Sequence, residues 1–281
     1  MLRIKLTLLT LIISACATVS NSDVILLDSK PINAKNTKIV ENQLNETPID
    51  IWERIRRELT IKIPNDQIAA TSIYRERLYK NQSAVNRISK SGQRYLFHTL
   101  SRAQELDLPV ELALLPFVES EFDPYAKSVD GATGIWQFMP ATGKEWGLKS
   151  NWWYDGKKDV LASTEAALKF LSYLHQKFDE DWLLAMAAYN TGPTRVNRAI
   201  RKNKMQDKGI RFWDLDLPKE TTAYVPKLLV LCELINNPKS FEVNLPSIAN
   251  RPYFQRVKIP GQLDLMPVSY THLTLPTNSN V

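Results

Sequence analysis

The chain has 281 residues, enough for one large domain or two small ones, with 9 glycines and a formal net charge of +6. Plentiful helix formers and scarce glycine predict a mainly helical fold. Lys and Arg are spread along the sequence without a dense tract, so nucleic-acid binding has no support. A mildly basic, solvated surface remains, about +4 once Arg3 and Lys5 are set aside as part of a leader.

The chain opens with Arg3 and Lys5, then a short apolar stretch, then Ile13-Ser-Ala-Cys16. The stretch is too short to span a bilayer with its flanks and reads as an export signal, residues 1–15. Its ending resembles a bacterial lipobox. That resemblance implies cleavage before Cys16 and lipid on the Cys16 thiol, and Ala17 in place of Asp resembles the outer-membrane sorting pattern. An ordinary signal peptide with a chance cysteine is the alternative. Residues 16–48, rich in Asn, Ser, Thr and Lys, are expected to form a tether.

Residues 49–240 carry the pattern of a helical domain. Ile51, Trp52, Ile55 and Leu59 recur at helical spacing. A second helix follows Asn65, and a longer one runs through Leu96 to Leu106. Pro109 opens the next, which ends at Glu119 and Ser120, with a turn at Asp123-Pro124. Residues 121–160 are the least regular part, with only short helical pieces expected. Ser163 or Thr164 is placed to cap a helix through about Phe178. Trp182–Tyr189 forms another, stopped by Gly192-Pro193, and a helix from Thr194 to about Lys202 follows. Lys219–Ile235 is a further helix with Pro226 in its first two turns.

Beyond Phe241 the pattern changes. Residues 241–265 are expected to be a short C-terminal β extension, with the alternating run Tyr253–Ile259 as a strand. Residues 266–281 fit nothing before them and resemble a read-through tail, so the natural chain is expected to continue past Leu265. After Cys16 only Cys232 remains, so no internal disulfide is expected, and its apolar surroundings suit a core role. His98, His175 and His272 have no ligand spacing, so neither a metal site nor a cofactor is expected. Trp152, Trp153 and Trp182 are expected in the core or a cleft wall.

Glu119 ends the apolar run Leu112-Ala-Leu-Leu-Pro-Phe-Val-Glu119. A carboxylate there is costly to bury charged, so its pKa is expected to rise, and a neutral carboxylic acid at neutral pH is what a general acid needs. Alone, Glu119 reads better as the exposed end of a core helix. Gln137, Tyr189 and Asn190 supply donors and acceptors, and Met139 supplies a soft apolar face, the mixture that suits the polar and apolar sides of a sugar ring. Each also has a plain reading: a turn cap, a core ring, the end of a loop.

Four segments occur in order: Glu119-Ser120, Gly134-Ile-Trp-Gln-Phe-Met-Pro140, Ala188-Tyr-Asn-Thr-Gly192 and Glu220-Thr-Thr-Ala-Tyr-Val-Pro226. Together they resemble the lysozyme-like lytic transglycosylases of bacterial cell walls, and among them the membrane-bound lytic murein transglycosylase D type. Ile135-Trp136 stands where many relatives carry Leu-Met. The resemblance implies a lysozyme-like helical catalytic domain with Glu119 as the one catalytic acid and base. It further implies Ser128 hydrogen-bonding near that carboxylate, Gln137 and Met139 lining the cleft, Tyr189 and Asn190 contacting the saccharide, and Glu220 and Tyr224 closing the other wall.

Ordinary glycosidases use two carboxylates. Asp123, Asp130, Asp155 and Glu220 are available as seconds, but no pattern marks one of them. In the family the sequence resembles, the single Glu protonates the leaving oxygen between N-acetylmuramic acid and N-acetylglucosamine. It then takes the proton of the C6 hydroxyl, which attacks C1 and leaves a 1,6-anhydro end. A hydrolysing muramidase of the same fold and a non-catalytic, wall-binding lipoprotein are the alternatives. The expected partners are peptidoglycan glycan strands and, through lipid on Cys16, a membrane. The expected place is the periplasmic side of the outer membrane, and the expected state a monomer.

Overall fold

The computed structural model describes residues 50–255, and every element discussed below lies in one compact unit. The expected leader, Cys16, the tether, most of the run Tyr253–Ile259 and the tail lie outside the described residues. Among the described residues the fold is helical, and pairing between extended segments is limited to isolated bridges.

Helix α1 (Ile51–Glu58) starts where Asp50 accepts the Trp52 N–H at 3.2 Å. It buries Ile51, Trp52 and Ile55, three of the four residues whose spacing predicts it. The chain after Phe241 returns to α1: Trp52 Nε1 donates to Pro246 O at 2.9 Å and Ile51 N to Ile248 O at 2.9 Å. Residues 242–255 contain no strand. Ala249 pairs with Asp50 through a single bridge, so in this part the expected β extension is an extended strap.

Helix α2 (Ile68–Leu78) follows a 3-10 turn at Asn65–Gln67. Helix α3 (Gln82–Gly92), capped by Asn81, has no counterpart in the sequence reading. Its core face is made of small residues, with Ala84, Val85, Ser89 and Gly92 buried, so it lacks the large apolar stripe that periodicity detects. Gly92 is needed there, because a Cβ would come within 2.6 Å of the Phe117 ring. Helix α4 (Leu96–Glu105) lies close to its expected place.

From Pro109 the chain forms a 3-10 segment, Val110–Leu114, and then the five-residue helix α5, Leu115–Glu119. Helix α6 (Pro140–Glu145) is a short piece within the irregular stretch. Helix α7 (Val160–Lys177) is capped by Asp159, which accepts from Leu161 and Ala162 N–H at 2.9 Å each, and not by Ser163 or Thr164. Those two are fully buried inside the helix: Ser163 Oγ donates to Asp159 O, and Thr164 Oγ1 accepts from Trp136 Nε1. An Asp just upstream outcompetes them for the cap.

Helix α8 (Trp182–Thr191), capped by Asp181, buries Leu184 to Ala188 in an unbroken run. It packs against α7, against α9 (Pro193–Met205) and against α10 (Lys219–Asn236). A helix apolar on every side can only sit inside a bundle. Gly192, at φ +89°, turns the chain so that Pro193 opens α9, one residue earlier than expected. Helix α10 buries nearly every residue from Tyr224 to Ile235, Cys232 among them, and carries Pro226 without ending. Trp152 and Trp153 correct their expectation, being 89% and 90% exposed at the tip of a hairpin. Trp182 is half-buried and stacks on His175 at 3.8 Å.

Candidate active site

Four stretches of chain meet around one cleft of about 530 Å³: the end of α5, the turn before α6, the end of α8 and the start of α10. All eight residues singled out in the sequence as one constellation, Glu119, Ser128, Gln137, Met139, Tyr189, Asn190, Glu220 and Tyr224, line it.

Glu119 is the last residue of α5, and its position is fixed from behind. Ser120 Oγ donates to Ile135 O at 3.0 Å, tying the helix end to the turn before α6. Glu121 and Phe122 follow in left-handed backbone, φ +51° and +61°, an uncommon pair for residues with side chains. Phe122 N–H returns to Pro116 O, and the Phe122 ring packs edge-on against Phe117 at 4.6 Å. Buried contacts thus offset the backbone strain.

The segment Gly134–Met139 alternates between core and cleft. Ile135 and Trp136 are buried, Gln137 and Met139 line the cleft, and the nearly buried Phe138 reaches its wall. Gly134, at φ +83°, lies so close to the Lys157 carbonyl that an added Cβ would stand 1.9 Å from its oxygen. Gln137 is itself at φ +46°, and its Nε2 donates to Gly134 O at 2.8 Å and Ala126 O at 3.3 Å. Its amide nitrogen therefore holds the turn, and its amide oxygen is the part left for a ligand. Met139 precedes α6 and is 42% exposed at the rim.

Tyr189 is committed in a similar way. Its hydroxyl donates to Trp136 O at 2.8 Å, and its ring packs against Phe138 and Phe170. It presents an aromatic surface while bracing the turn. Asn190 Oδ1 accepts from the buried Thr221 hydroxyl at 2.8 Å, joining α8 to α10. Ser128 Oγ accepts the Ala132 N–H at 3.0 Å; the bond to Glu119 comes from elsewhere.

That bond is from Tyr224, whose buried hydroxyl donates to Glu119 Oε1 at 2.6 Å. The Glu119 carboxyl is pushed up to about 8, chiefly by burial, with the Tyr224 hydrogen bond opposing and the Glu220 charge adding to the rise. Burial also pushes the Tyr189 and Tyr224 phenols well above their usual range, with the Glu119 charge adding, so both stay protonated donors. At neutral pH the site therefore holds a mainly protonated carboxyl that can give up its proton and take one back. Glu220 is exposed at the rim, and among the described residues no hydrogen bond fixes it.

Sequence reasoning missed Phe170 and Lys227 in the lining. Lys227 was within reach of it, since Glu220, Tyr224 and Lys227 recur at i, i+4 and i+7 along one face of α10. Sequence reasoning also passed over Glu111, the carboxylate just before the apolar run. Glu111 is fully buried, and its Oε1 accepts the N–H groups of Thr60 and Ile61 at 2.5 and 2.6 Å, a bracing role away from the cleft.

Residues 98–212 match the family described as Transglycosylase SLT domain, a span that holds Glu119 through Asn190 and stops before Glu220. Over 221 residues the chain is 40% identical to Membrane-bound lytic murein transglycosylase D of Escherichia coli (strain K12), covering 78% of this chain and 48% of that protein. It is 38% identical over 164 residues to an Alteromonas sp. (strain M-1) protein named for tributyltin chloride resistance, covering 58% of this chain and 77% of that one. The Soluble lytic murein transglycosylase of Salmonella typhimurium is 28% identical over 141 residues, 48% of this chain and 21% of that one. The chain spans about half the length of the Escherichia coli relative.

Proposed function

The chain belongs to the lytic murein transglycosylases of the SLT type, and from that membership we propose that it cleaves peptidoglycan between N-acetylmuramic acid and N-acetylglucosamine without water. Glu119 is the single acid and base. Its proton goes to the leaving glycosidic oxygen as the C1–O bond breaks. The resulting carboxylate takes the proton of the C6 hydroxyl as that oxygen closes on C1, giving a 1,6-anhydro end and restoring the acid. The attacking hydroxyl is already attached to the reacting ring, so little freedom is lost on the way to the transition state. Tyr224 holds Glu119 in line and stabilises it while it is an anion.

One observation carries this reading: a carboxyl raised to about 8, hydrogen-bonded by a buried phenol, facing a cleft lined by polar side chains and aromatic rings. A hydrolysing muramidase ordinarily uses a second carboxylate to activate water. Glu220 is near enough for its charge to act on Glu119, yet it is exposed and unfastened, a poor mount for a base. Mass spectrometry of muropeptides released from purified sacculi separates the two. The transglycosylase leaves ends lighter by one water, and mainly reducing ends would assign the chain to the hydrolases.

Cys16 carries the lipid in this reading, and the chain is held at the periplasmic face of the outer membrane. Among the described residues no helix is long and apolar enough to cross a membrane. Loss of the protein from the membrane fraction in Cys16→Ser cells supports the anchor, and retention points to another attachment.

A further inference from the structure

Two adjacent tryptophans, Trp152 and Trp153, stand 89% and 90% exposed, and neither lines the cleft. Large aromatic side chains are normally covered, so a fully solvated pair on a fixed support marks a contact surface. The support is fixed. Asn151 Oδ1 accepts both the Trp153 and Tyr154 N–H at 2.8 Å, and Asn151 N–H returns to Tyr154 O at 2.8 Å. Below the tip, Ser150 bridges to Asp155 and Gly156 N–H bonds Lys149 O at 2.8 Å. Tyr154 hydroxyl donates to Asp159, the cap of α7. The two rings meet edge-on at 6.5 Å.

The hairpin is rooted in the same parts that build the cleft. It leaves α6, whose Thr142 lines the cleft, by way of Trp146, which packs on the cleft residue Phe170 at 4.9 Å. It returns through Lys157, whose carbonyl lies against Gly134. The tip Ser150–Tyr154 carries no charge; the cations that flank it, Lys149, Lys157 and Lys158, stand against Asp155 and Asp159, and Lys157 pairs with Asp155 at 2.7 Å. An uncharged aromatic tip whose flanking charge is largely balanced suits the apolar faces of an uncharged ring better than the headgroups of an anionic bilayer, where a cluster of unbalanced cations would be expected.

We propose that Trp152 and Trp153 form a stacking platform, outside the cleft, for N-acetylated sugar rings of the same glycan strand. This rests on the peptidoglycan reading above. A rigid tip loses little freedom on binding, and aromatic anchors dominate such contacts.

The test uses the full chain with Glu119→Gln, which holds the wall without cutting it, and the same chain with Trp152→Ala and Trp153→Ala added. Retention on purified sacculi should weaken about tenfold or more in the triple variant. In the Glu119-containing chain, turnover of a soluble tetrasaccharide should be unchanged by the two Trp substitutions, with an unchanged melting temperature. Equal retention of the two variants overturns the platform while leaving the cleavage reading intact. Unchanged sacculus binding with lost sedimentation on phosphatidylglycerol–phosphatidylethanolamine vesicles also overturns it, in favour of a bilayer contact. A chain that neither holds sacculi nor cleaves the tetrasaccharide overturns both readings.

Discussion

Tyr224 and Glu119 are 105 residues apart in the chain and 2.6 Å apart in space, the phenol donating to the carboxyl. The bond opposes what burial does to Glu119. Burial favours the neutral acid with which the proposed reaction starts, and the phenol favours the anion formed midway. The proposed cleavage needs both states in turn, and the two effects keep Glu119 able to cross between them.

Replacing Glu119 with Gln keeps the shape but removes proton transfer. Turbidity clearing of sacculi should fall by about 10²–10⁴-fold or more, with the circular dichroism spectrum unchanged. Clearing at the wild-type rate would remove Glu119 from the chemistry.

In Tyr224→Phe the donor is lost, so the anion is less stable and the Glu119 pKa rises further. The alkaline limb of the rate profile, expected near pH 8 in the wild type, should move upward. The maximal rate should drop roughly tenfold or more through lost alignment and anion stabilisation, with KM little changed. A lowered alkaline limb would mean that the phenol does not serve the carboxylate.

Glu119 also sets a pH dependence of stability. Its folded pKa, about 8, exceeds the ordinary 4.5, so the folded state holds more protons between those values and loses stability as pH rises through them. Glu119→Gln removes this loss. The melting temperature of the variant should gain on the wild type from pH 5 to pH 8 and run parallel above about 9. A constant difference across that range would mean that Glu119 is not raised.

Gly134→Ala tests the turn. The substitution places a Cβ 1.9 Å from the Lys157 carbonyl oxygen in backbone at φ +83°. Neither can be relieved by a side-chain rotation, so the cost should be roughly 3 kcal/mol or more, read as a lowered urea midpoint. Gly131→Ala, at φ +90° with open space around it, should cost less.

What could be read from the sequence follows from what each helix exposes to periodicity. α1 announces itself because large apolar residues recur on its buried face, and α8 because it is an unbroken apolar run stopped by Gly192-Pro193. α3 does not, because Ala84, Ser89 and Gly92 do the packing. Seven of the eight singled-out residues lie in the four segments that occur in order, and Ser128 came only with the resemblance; the local duties of all eight were not legible. That Gln137 spends its amide nitrogen on two carbonyls, or that Tyr189 donates to Trp136, depends on backbone angles that residue types alone do not reveal. The solvated state of Trp152 and Trp153 was hidden for the opposite reason, since composition assigns tryptophan to the interior.

The strap that runs back to α1 brings Ala249 beside Asp50, bridged to it, with Ile248 bonded to Ile51. The helical unit therefore begins and finishes at one corner. Such a unit behaves as a cassette: it can be spliced into a host loop through two short joints without being stretched. It can also be closed into a ring there and reopened at an exposed turn such as Asp207-Lys208, with the cleft-forming segments still in their original order around the ring.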